Sequence, residues 1–240
     1  MILYKYYSFN SGKSALESER VGFRTPTHFN DPFEASVIEG KSFTKDGIQK
    51  TLNNVAILSL TRNPLNSLMW AHYGDEHKGF VIGYEVENSF FKCKESNLIP
   101  VHKGNVIYTK TKPFLKTSIR ETTNLCNAID GIYDEEDHQT KELIDHLFLN
   151  KDTIWSYEEE VRIVKRVDSI IMETHKYWEN PYNRYSIPSK EIRPGYSKET
   201  IPGLKIYDHQ VQIKEVYLGA RNSYIKDKDE CIAELLTKVQ

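Results

Sequence analysis

Gly79-Phe80-Val81-Ile82-Gly83-Tyr84-Glu85-Val86 is the stretch on which the fold class rests. Phe80, Ile82, Tyr84 and Val86 occupy every second position, the period of a pleated strand with one buried face. Residues 66–73, just before it, read as a helix that Gly74 is placed to stop. Earlier still, Val55-Ala56-Ile57-Leu58-Ser59-Leu60-Thr61 is a short apolar run bounded by polar residues, the pattern of a buried strand.

Outward from this centre the elements stop alternating. Residues 2–9 form a tyrosine-rich first strand, Ser14 caps a brief helix, and residues 20–25 form a second short strand. A short helix is expected at 45–53 and a short strand at 106–108. Helical periodicity runs over 117–149, broken at Gly131. Strands at 155–164 and 211–218 and a last helix at about 227–236 complete the reading. The irregular order excludes a doubly wound parallel sheet. It predicts one α+β domain over 1–240: an antiparallel or mixed central sheet with a helical insertion at about 113–150 packed on it. A loop-rich insertion at about 172–202, with four prolines, is placed to cover a site.

Composition sets the limits. A chain of 240 residues, 39% hydrophobic and 28% charged, can bury a substantial core. The formal net charge of -2 argues against a nucleic-acid binder held by a broad positive field and leaves a local basic groove open. Fifteen tyrosines and ten phenylalanines supply strand packing and also material for a pocket around a flat ring. Cys93, Cys126 and Cys231 lack metal or redox spacing and read as reduced thiols. The start lacks a signal-peptide pattern and no apolar run is long enough for a bilayer, so the reading is cytoplasmic with no membrane partner.

Three segments carry chemistry. In Trp155-Ser156-Tyr157-Glu158-Glu159-Glu160-Val161-Arg162-Ile163-Val164, strand alternation puts Ser156, Glu158, Glu160 and Arg162 on one face and Trp155, Tyr157, Val161 and Ile163 on the other. Glu159 falls on the apolar face and marks an irregularity. The strip suits a base, a hydroxyl-orienting carboxylate or a stabiliser of positive charge. From the pattern alone, a solvated sheet face with a weak ion pair is the favoured reading. In Met69-Trp70-Ala71-His72-Tyr73-Gly74-Asp75-Glu76-His77-Lys78, His72 and His77 lack zinc spacing, and no metal is expected there. In Phe29-Asn30-Asp31-Pro32-Phe33-Glu34, Asn30, Asp31 and Pro32 make a turn. Asp31 and Glu34 could also join Glu158 and Glu160 around magnesium, with Arg162 or Lys165 facing phosphate, as in a nuclease. No phosphate-binding glycine loop, nucleophile elbow or dinucleotide fingerprint is present.

These three segments, with Leu3-Tyr4-Lys5-Tyr6 and Ile213-Lys214-Glu215-Val216-Tyr217-Leu218-Gly219, resemble the bacterial domain-of-unknown-function 2971 family. More loosely, a first strand bearing tyrosine, a mid-chain aromatic and a late glutamate are similar to the mono-ADP-ribosyltransferase layout. That likeness implies an ADP-ribosyltransferase-like fold and NAD as substrate rather than a permanently bound cofactor. It implies Tyr4 or Lys5, assisted by Arg24, at the adenosine side, Tyr73 on nicotinamide, and Glu160 with Glu158 at the ribose. Arg162 completes the catalytic set. Asn30, Asp31, His72, His77 and Trp155 join the expected substrate-binding residues. An NAD-consuming toxin or defence effector is the leading expectation, acting on a macromolecular acceptor or held by an antitoxin or sensor partner. A metal-dependent nuclease and a non-enzymatic nucleotide sensor are the others.

Overall fold

The structure, a computed structural model, describes residues 1–29, 31, 38–39, 51–94, 96–111, 115–116, 118–131, 138–167 and 201–227. The elements run β1 (Ile2–Tyr7), α1 (Phe9–Ser18), β2 (Gly22–Arg24), β3 (Ile38–Glu39), β4 (Val55–Thr61), α2 (Ser67–His72), β5 (Phe80–Glu85) and α3 (Ser89–Lys92). They continue β6 (Asn97–Ile99), β7 (Ile107–Thr109), β8 (Leu115–Lys116), α4 (Ile119–Ile129), α5 (His138–Leu149), β9 (Asn150–Asp152) and β10 (Glu160–Arg166). β11 (Leu204–Ile206), β12 (Ile213–Leu218) and α6 (Ser223–Asp227) follow. The protein is α+β, as its pattern predicts.

Among the described residues the main sheet has eight antiparallel strands in the order β11-β2-β4-β1-β5-β12, with β10 lying along β4 and β6 along β10. β4 is its pivot. Along one edge it pairs with β10 over its full length, from Val55↔Arg166 to Thr61↔Glu160. The other edge is shared: β2 meets it at Ile57 and β1 at Thr61. The sheet forks between those two points, beside Ser59.

Alternation sends the apolar residues to two cores. Leu58, Leu60, Phe80, Ile82, Tyr84, Val161 and Ile163 pack on one face with α1 residues Ala15 and Leu16. Val55, Ile57 and Val164 pack on the other, beneath Leu125, Ala128 and Ile129 of α4 and Leu143, Ile144, Leu147 and Phe148 of α5. The face chosen by Phe80, Ile82 and Tyr84 is the one their spacing predicts. The helical stretch is two helices, and Gly131 after the first has a positive φ of 73°. Ser118 and Glu121 form a reciprocal capping box at the start of α4.

Some boundaries differ from the sequence reading. β1 ends at Tyr7, and α1 begins at Phe9 rather than near Ser14. The Gly12 N–H donates to the Ser8 carbonyl, and the Phe9 ring packs against Phe80 and Tyr224, so tertiary contact starts this helix early. The expected second strand shrinks to Gly22–Arg24. Short elements β6, α3, β9 and β11 carry no clear periodicity. The expected insertion at about 172–202 and the last helix lie almost wholly outside the described residues, as does most of the expected helix at 45–53. No helix among the described residues is long and apolar enough to cross a membrane.

Candidate functional site

The segment read as one strand from Trp155 is two elements. Thr153–Glu158 forms a 3₁₀ helix and the strand begins at Glu160. Asp152 caps the helix by accepting from the Ile154 N–H. Glu159 joins the two elements in the left-handed region, φ 46°, ψ 46°. Strand alternation therefore does not link Glu158 to Glu160. The Glu159 kink turns both carboxylates inward while Glu159 itself stays exposed.

The expectation of a solvated face fails. Glu158 and Glu160 are each 4% exposed, Arg162 2% and Lys151 6%. Ions this deep persist only when paired. Lys151 Nζ donates to Glu158 Oε2 at 2.5 Å and to Glu160 Oε2 at 3.0 Å. Arg162 Nε donates to Glu160 Oε1 at 2.8 Å, and its Nη1 donates to the Phe148 carbonyl at 2.7 Å. The Tyr73 hydroxyl donates to Glu158 Oε1 at 2.8 Å. Burial alone would raise the Glu160 pKa. Arg162 and Lys151, helped by hydrogen bonds from Arg162 and Ser59, outweigh it and hold the carboxyl well below its usual range. Burial, and next the Glu158 charge, push the Tyr73 hydroxyl far above its ordinary value.

A cavity of about 180 Å³ opens on this network. Lys151, Glu158, Glu160 and Arg162 form its charged wall. Tyr4, Tyr6, Phe29, Met69 and Tyr73 supply rings and apolar surface, and Ser59 and Thr61 supply hydroxyls. The local reasons are visible. Met69 and Tyr73 lie four residues apart and share a face where α2 ends. Asn66 caps α2 by accepting from the Leu68 and Met69 N–H groups, and its side-chain amide donates to the Tyr157 carbonyl. That bond ties α2 to the 3₁₀ helix. Ser59 and Thr61 are register partners of Arg162 and Glu160 and so share their face.

The remaining expected site residues divide. Tyr4 and Lys5 line the cavity. Tyr4 donates to Glu215, which also accepts from Tyr217; burial and then the Glu215 contacts raise the Tyr4 hydroxyl to about 12. Trp155 stands behind the network, its ring 5.4 Å from Lys151 Nζ. His72 is exposed outside the lining, with its ring 6.5 Å from that of Tyr157. His77 stacks on Trp70 at 5.9 Å, outside the lining, because a left-handed run from Asp75 to His77 folds it back. Arg24 is exposed and donates to the His28 carbonyl. Asp31 is half-buried and outside the lining, while Asn30 and Glu34 lie outside the described residues.

Lys165 does not face the cavity. It lies on the opposite face of β10, donating to the Phe90 carbonyl at 2.6 Å with its Nζ 4.0 Å from the Phe90 ring centroid. Among the described residues no group of three or more His, Cys, Asp or Glu side chains is arranged to hold a metal.

Sequence reasoning missed Lys151, Tyr108 and Gly104. Lys151 sits in Asn150-Lys151-Asp152, between the expected helical stretch and the expected strand, where no local pattern marks it. Its burial follows from the parallel pairing of β9 with β7. The Tyr108 hydroxyl accepts from the Glu160 N–H at 2.9 Å. Gly104 lets a loop touch β10: its carbonyl accepts from the Arg162 N–H at 2.7 Å, and an added Cβ would stand 1.8 Å from the Arg162 carbonyl oxygen.

Residues 69–163 match the model of a family described as a protein of unknown function, DUF2971. The matched stretch contains the whole charged wall and Tyr73, and it leaves out Tyr4, Lys5 and Phe29. No curated protein and no solved structure matches the chain.

Proposed function

Starting from the match of residues 69–163 to the DUF2971 family model, we propose that the cavity binds a nucleotide and breaks the N-glycosidic bond of NAD. The observation that carries this reading is the buried Lys151–Glu158–Glu160–Arg162 network facing aromatic rings across one cavity. Each part suits one part of a nucleotide. Tyr73, Tyr4 and Phe29 offer faces to a flat ring. Glu158 and Glu160 accept from sugar hydroxyls. The lining cations Lys5, Lys151 and Arg162 outnumber the two carboxylates and attract phosphate. The volume is below the roughly 300–1,000 Å³ of drug-sized sites, so this reading needs only part of the nucleotide inside the cavity.

Departure of nicotinamide leaves positive charge on the ribose C1 atom. A carboxylate fixed beside that atom stabilises it without reorganisation. Glu160 is kept ionised by Arg162 and Lys151, and Glu158 is oriented by Tyr73. Water or an acceptor nucleophile then takes the ribosyl group. The looser likeness to mono-ADP-ribosyltransferases supports the same assignment. In a bacterium this chemistry fits a toxin or defence effector.

The test is nicotinamide release from NAD, read by mass spectrometry with and without a chelator. Wild type is expected to release nicotinamide in both conditions. Glu160→Gln, shown folded by circular dichroism, is expected to release none. Chelator-sensitive cleavage of nucleic acid without nicotinamide release would replace this reading with the nuclease. NAD binding without turnover would replace it with the sensor.

A further inference from the structure

Of the cavity's three lining cations, Lys151 and Arg162 are engaged with the two lining carboxylates. Lys5 is placed differently. It sits at the fork of the sheet, where β1 and β4 share the single register pair Tyr4↔Thr61. Its Nζ donates only a long hydrogen bond, 3.3 Å, to the Ser59 carbonyl, and stands 5.8 Å from the Tyr7 ring centroid. Among the described residues it enters no ion pair, and it is half-buried against the cavity. A partly desolvated amine without an ion-pair partner, on the wall of a cavity, is a setting that makes lysine a nucleophile.

We propose that Lys5 is a carbonyl-reactive amine, presented by the cavity to small aldehydes. The amine lone pair attacks the aldehyde carbon and forms the C–N bond while the carbonyl π pair moves to oxygen. The carbinolamine then loses that oxygen as water together with both amine hydrogens, leaving an imine.

The surroundings enlarge the share of neutral amine relative to an exposed lysine. Burial lowers the Lys5 pKa to about 8, Glu160 of β10 opposes that change, and Arg24 of β2 adds to it. Ser59 of β4 offers a neutral carbonyl, Tyr7 of β1 a ring, and the β5 register partner Ile82 no charge. This inference rests on the placement of Lys5 and holds whether or not NAD is the substrate.

The test treats the intact chain with pyridoxal 5′-phosphate, traps the imine with borohydride, and maps the labelled lysines by peptide mass spectrometry across a pH series. Lys5 is expected to label on the order of tenfold or more faster than the exposed Lys78, Lys103 and Lys214 at neutral pH. Its labelling midpoint is expected at about 8. Glu160→Gln removes the neighbour that helps hold the proton, so the Lys5 midpoint moves lower; mere accessibility would not move it. Equal labelling of all these lysines, or a Lys5 midpoint near the ordinary 10.5, overturns the proposal.

Discussion

At its N-terminal end β10 buries Glu160 and Arg162 against Lys151 and Glu158, whereas at its C-terminal end it buries Lys165 and Arg166 against backbone carbonyls and rings. The strand is buried throughout, yet the surroundings of its two ends differ. Arg166 Nε and Nη2 donate to the Ala128 carbonyl and fasten α4 to the sheet. Lys165 fastens α3 in the same manner, under the rings of Phe23, Phe90 and Tyr207. The first end meets opposite charges and opens on a cavity. Apolar residues of similar size would fill such a position at less desolvation cost. Ions retained beside a cavity therefore support the proposed ligand site, whereas Lys165 and Arg166 fasten helices to the sheet.

The comparison is most exposed at Glu160. Glu160→Gln leaves Arg162 and Lys151 without one buried counter-charge and is expected to lower stability by about 3–5 kcal/mol in urea unfolding. It should also change the acid limb. The native Glu160 pKa lies below its unfolded value, so its contribution is complete above the ordinary 4.5 and is lost as pH falls through the native value. Stability of the variant should fall less steeply below pH 4.5 than that of wild type. Equal acid limbs would remove Glu160 from the account.

At the opposite end, Phe90→Leu removes the ring 4.0 Å from Lys165 and the stack on His209 at 4.2 Å. A loss of about 2 kcal/mol is expected, with nicotinamide release by the folded variant unchanged. If release falls with it, the two ends are not separate. Gly104→Ala pushes a Cβ against the Arg162 carbonyl and should cost about 1–3 kcal/mol while lowering activity, since the loop that holds β10 in place must move. The smallest effect is expected for Tyr73→Phe. It removes one half-exposed donor to Glu158, about 1 kcal/mol in thermal unfolding, and reduces turnover without abolishing it.

The α+β class and the central strands are written locally. Val55–Thr61 agrees in both bounds with its expected strand, and the period of Phe80, Ile82 and Tyr84 names the core face. Side-chain period is a property of adjacent residues, so it survives without the partner strands. Glu158, Glu160 and Arg162 do meet in one wall, although by way of a 3₁₀ turn and the left-handed Glu159, which no period-two reading contains. His77 illustrates the opposite: the left-handed run that turns it onto Trp70 carries no glycine at Asp75, Glu76 or His77 to announce it.

By itself the sequence determined which central segments are strands, which of their faces are apolar and which residues bear charge, because those depend on chemistry and near-neighbour spacing. Only the tertiary structure decided that Lys151 lies between two carboxylates from a turn and strand after it, that Gly104 touches Arg162, and that Lys5 stands at the fork of β4. Burial and pairing of charge are set by elements distant in the chain, and they decide whether a charged strip is a solvated surface or a site.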